Sequence, residues 1–140
     1  MSPVVAGAAW LWAGMVLAIS FLEAPLKFRA PGVTVVIGLG IGRIVFRALN
    51  VAEVAAASVI VVAAVAGGSP APVTGAVIAA VGVLVVQLVV VRPILNRRSD
   101  RVLAGEDPPR SRTHLVYVAL EVLKVVALVV LGVAALSALG

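Results

Sequence analysis

Hydrophobic and polar positions along this chain are sorted into long blocks. Four apolar runs stand out, at about 4–22, 44–66, 73–91 and 115–139. Each is close to the roughly 20 residues a helix needs to cross the hydrocarbon core of a bilayer. The breaks are well marked: Glu23 and Pro25 follow the first run, Gly67-Gly68-Ser69-Pro70 the second, and Arg92-Pro93 the third. Proline removes a donor and clashes with the preceding turn, so each break is expected to end a helix. Val is abundant, but runs of 19–25 residues far exceed the roughly ten residues of a barrel strand. The expected fold is all-α: one domain over 1–140 with four transmembrane helices joined by loops 23–43 and 92–114.

Composition strengthens this reading. The chain is 63% hydrophobic and 12% charged, with a mean hydropathy of +1.23. A soluble domain runs at roughly 45–50% apolar and about 25% charged, so an ordinary soluble enzyme and a disordered chain are both excluded. Without cysteine, disulfides, thiolate metal sites and cysteine nucleophiles are excluded too. One His without Cys argues against a transition-metal centre, and no cofactor is expected. The net charge of +5 sits between apolar runs and comes with no recognition motif, so its expected partners are anionic lipid headgroups and not nucleic acid.

The basic residues also set an orientation. Lys27, Arg29, Arg92, Arg97, Arg98, Arg101, Arg110 and Arg112, with Arg43 and Arg47 at the mouth of the second run, all fall on one side of the four runs; only Lys124 lies deep inside a run. The positive-inside rule then makes both long loops cytoplasmic and both termini external, as in a multi-pass protein of a bacterial inner membrane. The first run has no basic residue before it and exceeds a signal-peptide core, so it is expected to be retained. Trp10 and Trp12 would lie towards the outer half as interfacial anchors.

Charged groups in hydrocarbon are costly and therefore informative. His114, Tyr117, Glu121 and Lys124 share one helix face about 80° wide at 100° per residue. Arg43, Arg47 and Asn50 form a similar stripe with Glu53 at its edge; the third run adds Gln87, and the first Ser20 and Glu23. At about 1.5 Å per residue, Glu53 lies roughly 9 Å beyond Arg47, Gln87 about 7.5 Å above Arg92, and Glu121 about 10 Å above His114. The polar groups converge on the cytoplasmic half, as a vestibule open to the cytoplasm beneath an apolar plug. Gly38 and Gly42 form a small-xxx-small pair suited to close helix contact. The segment Glu23–Thr34 fits either a short extended or re-entrant stretch in the headgroup layer or a tight connector.

Residues 43–53 and 114–124 align at an offset of 71 residues, with Arg43 on His114, Phe46 on Tyr117, Asn50 on Glu121 and Glu53 on Lys124. This predicts two helical hairpins in parallel orientation about an axis along the membrane normal. Glu53 and Lys124 would then meet across the axis as a buried salt bridge, serving either as a clamp or as a substrate or proton site.

The run from Gly14 to Phe28, with its Gly, Ser20-Phe21 and a Pro followed by Phe, resembles small bacterial four-helix integral membrane proteins. That resemblance implies a membrane protein and adds no catalytic residue. The expected function is therefore non-enzymatic: transport of a small solute or ion. Glu53, Glu121 and Lys124 would form the gate or proton-coupling group, with Arg43, Arg47 and His114 lining the mouth and Asn50, Tyr117 and Gln87 along the pathway. So short a chain leaves room for a homodimer. The alternative is a non-catalytic accessory or assembly protein of a membrane complex, with the polar cluster an interhelical lock.

Overall fold

A computed structural model describes residues 2–106 and 112–139. Asp107 and Arg110 of the expected basic loop lie outside the described residues. The described chain is helical, without strands. Four helices are long and apolar enough to cross a membrane: α1 (Pro3–Arg29), α2 (Val35–Gly67), α3 (Ala71–Leu103) and α4 (Thr113–Ser137). They run up and down, so that Arg29, Arg43, Arg92 and Arg112 share one end, called here the basic end.

Each helix buries a stripe of apolar residues three or four apart, the spacing that keeps side chains on one face. The stripes are Val5, Ala9, Trp12 and Val16; Leu49, Ala57, Ile60 and Ala63; Val73, Val77, Ala80 and Leu84; and Leu128, Leu131 and Ala135. Outside these stripes large apolar side chains point outward, among them Ile44, Val65, Ile78, Val89 and Leu115. The bundle is thus apolar on both its inner and its outer faces. Helix α1 packs along α4 and α2, and α4 also along α3; α1 and α3 occupy one diagonal, α2 and α4 the other. The α2–α3 hairpin is more loosely closed. At the end away from the basic one, Val61, Val65, Thr74, Val77, Ile78 and Val81 border an apolar groove of about 550 Å³.

Two helices, α1 and α3, outrun their expected ends, because the prolines do not stop them. Before Pro25 the chain passes through a π-helical stretch, Leu17–Glu23, and before Pro93 through another, Gln87–Val91. In each, the amide that follows the stretch reaches back five residues, Ala24 to Ile19 and Arg92 to Gln87. The wider turn takes up the space the proline ring requires, and the helix continues. Thus 92–103, expected as loop, is helical, and 24–29 extends α1 as a short helical turn in place of an extended stretch. Helix α2 starts nine residues before the expected Ile44, at Val35, where the Thr34 hydroxyl accepts the Ile37 amide as an N-cap.

Gly38 and Gly42 receive side chains of α1 and not a neighbouring backbone. A Cβ on Gly38 would fall 2.1 Å from the Phe28 ring, and one on Gly42 would fall 2.9 Å from the Lys27 ammonium. On α4, Gly132 makes room for Trp10 in the same way.

Candidate functional site

The core stripes of α2, α3 and α4 contain four polar positions: Glu53 after Leu49, Gln87 after Leu84, and Glu121 and Lys124 before Leu128. All four side chains are buried, at 0–1% exposure. Helix geometry places them there, since Glu53, Gln87 and Lys124 are three or four residues from an apolar core neighbour on their own stripe and Glu121 is three from Lys124.

Lys124 organises the group. Its ammonium pairs with Glu53 Oε2, with Glu121 Oε1 at 2.6 Å, and donates to Gln87 Oε1 at 2.8 Å. Gln87 Nε2 donates to Glu121 Oε1 at 2.9 Å, and the Ser20 hydroxyl donates to Glu121 Oε2. The Trp12 indole N–H donates to Glu53 Oε2 at 2.8 Å. All four helices therefore contribute. Ser20 and Gln87, the two neutral side chains bonded to Glu121, both sit in the π-helical stretches. Such turns are rare and frequently mark functional sites.

Towards the basic end lies a second layer, built on aromatic faces. The Lys27 ammonium sits 5.5 Å from the Phe28 ring and 5.8 Å from the Phe46 ring. The Arg92 guanidinium lies 5.1 Å from the Phe46 ring and 4.5 Å from the Tyr117 ring, and Nη2 donates to the Tyr117 hydroxyl at 2.6 Å. Phe46 and Tyr117 meet edge to face, their centroids 6.2 Å apart. Lys27 is also 3.9 Å from Glu23. Phe28, Lys27, Phe46, Arg92 and Tyr117 thus alternate ring and cation across the four helices.

Glu53, Gln87, Glu121 and Lys124 come together as expected, and Glu53 and Lys124 do meet. The remaining expected site residues are elsewhere. Tyr117 belongs to the cation–aromatic layer. Arg43 is on the surface, paired with Asp100 of α3. Arg47 and His114 are exposed and Asn50 is half-buried, outside both groups. The polar groups do not line an open vestibule: the four in the cluster are closed off, with Phe46, Arg92 and Tyr117 towards the basic end. Trp12 departs most from expectation. It is not an interfacial anchor but a fully buried donor to Glu53; Trp10, 40% exposed, faces outward beside it. Its place on the stripe Val5–Ala9–Trp12–Val16 was the available signal, because a buried indole N–H requires an acceptor.

Among the described residues no group of three or more His, Cys, Asp or Glu converges as metal ligands would. The chain's own chemistry at the cluster is charge and hydrogen bonding: two carboxylates, one ammonium, one amide, one hydroxyl and one indole. No family model matches the chain, and neither a curated protein nor a solved structure matches it significantly.

Proposed function

We propose that this is a multi-pass integral membrane protein that moves a small solute or ion across the bilayer, with the Glu53–Gln87–Glu121–Lys124 cluster as its occluded charge-carrying site. The supporting observation is the charge count of that cluster. A purely structural lock would need no titrating proton to balance its charges, whereas here two carboxyl groups face one ammonium inside an apolar bundle, where ionisable groups are costly and mark functional sites such as ion pathways and proton relays. The basic loops support an orientation with both termini outside a bacterial inner membrane, in which exposed Arg97, Arg101 and Arg112 would meet anionic headgroups. The parallel two-hairpin arrangement is supported by the meeting of Glu53 with Lys124 and by the matching π turns before Pro25 and Pro93. A homodimer would widen so narrow a pathway.

The test is flux in proteoliposomes carrying a pH gradient, followed with an internal pH dye and a panel of sodium, potassium and small organic amines. Wild-type protein is expected to dissipate the gradient or move one of these solutes, and Glu121→Gln to lose that activity. No flux with any member of the panel, together with a stably co-purifying membrane protein, establishes the second reading, an accessory protein. The complete burial of the cluster favours that reading, as a lock between helices. A reporter fused after Gly140 tests orientation: a cytoplasmic signal reverses it.

A further inference from the structure

The cluster has one more carboxylate than cation, and its hydrogen bonds locate the difference. An ammonium group has three hydrogens. Against Lys124 stand three acceptors, Glu53 Oε2, Glu121 Oε1 and Gln87 Oε1. The two carboxyl groups are then treated unequally. Glu121 accepts on both oxygens, Lys124 and Gln87 on Oε1 and Ser20 on Oε2. Glu53 accepts Trp12 and Lys124 on the single oxygen Oε2, while its Oε1 is buried without a hydrogen-bond partner.

A carboxylate shares its charge between two oxygens and draws donors to both, whereas a carboxylic acid has one accepting carbonyl and one hydroxyl. Glu121 has the first pattern and Glu53 the second. An unbonded hydroxyl also costs far less in an apolar core than an unbonded carboxylate oxygen. We infer that the cluster is a single-proton site: Glu53 holds the proton on Oε1, and Glu121 with Lys124 forms a fixed ion pair. Of the two carboxyl groups expected to couple protons, Glu53 is therefore the one that carries it.

The groups that act on Glu53 are Trp12 from α1, and Glu121 and Lys124 from α4. Glu121 and Lys124 cancel, so protonated Glu53 leaves the cluster neutral. Release of that proton to water, when the site opens, leaves one net negative charge, carried by a Glu53 carboxylate still paired to Lys124. The proton site rests on the transport reading for its use in coupling but not for its existence.

Infrared spectroscopy of the full chain in lipid nanodiscs at neutral pH tests it. Wild type is expected to show the carbonyl band of one buried protonated carboxyl group, and Glu53→Gln to lose it. Trp12→Phe removes a hydrogen bond to Oε2 and shifts the band to higher frequency. Ser20→Ala, which removes a donor from Glu121, leaves it in place. Circular dichroism checks that each variant is folded, and the Trp12→Phe and Ser20→Ala pair suffices should Glu53→Gln not fold. The inference is overturned by a wild-type protein without the band, by a band that survives Glu53→Gln, or by one that moves with Ser20→Ala and not with Trp12→Phe. The readout needs no transport. A band without flux removes the transport reading alone, and flux without a band removes the proton site alone.

Discussion

The bundle holds buried cations at two levels and satisfies them by different chemistry. Lys124 sits among two carboxyl groups and an amide with no exposure. Lys27, with 10% of its side chain exposed, and half-buried Arg92 sit against rings. Full desolvation removes every water that could share a charge, so the deep cation requires formal countercharge and complete hydrogen bonding. A cation that keeps part of its hydration can rest on a quadrupole worth about 0.5–2 kcal/mol. Depth therefore sets the class of partner. The deep group has no neutral fallback, while the shallow layer can lose one ring contact and retain others.

Removing the deep cation is the most direct way to break this contrast. Lys124→Met leaves the buried Glu121 carboxylate without its countercharge and should destabilise the bundle by about 3–5 kcal/mol, the cost of orphaning a buried partner. Thermal unfolding in detergent micelles measures it. Adding Glu53→Gln and Glu121→Gln to the same chain should restore most of the loss; if it does not, countercharge is not what holds Lys124. Phe46→Leu removes a ring shared by Lys27 and Arg92 and should cost about 1 kcal/mol in the same assay. A cost equal to that of Lys124→Met would erase the distinction between the levels. The smallest effect belongs to Arg43→Ala, which breaks a surface pair with Asp100. It should cost under about 1 kcal/mol and vanish at high salt.

Much of the deep level was legible before the structure. Glu53, Gln87, Glu121 and Lys124 are polar interruptions in apolar runs, and helical depth alone brought them to a common height. The shallow level was not legible, for two physical reasons. Lys27 and Phe28 reach Phe46, Gly42 and Gly38 only because α1 continues past Pro25, and that depends on a π turn which no residue pattern announces. Arg92 read as an orientation signal, because a basic residue at the end of an apolar run usually snorkels to water; here it turns onto Tyr117. Trp12 was misplaced because Trp10, two positions away, does face outward, and the choice between them rests on the phase of one stripe.

The two π turns also act as phase shifters. An α-helix advances about 100° per residue, so each residue taken up by a widened turn rotates everything beyond it by that angle without changing anything before it. Deleting one residue within Gln87–Val91 would invite α3 to close as a regular helix and swing Arg92 away from Tyr117, while Leu84 and Ala80 stayed in register with α4. Length in these stretches is thus a setting as specific as residue identity. The bundle should accept many apolar substitutions there and few single-residue insertions or deletions.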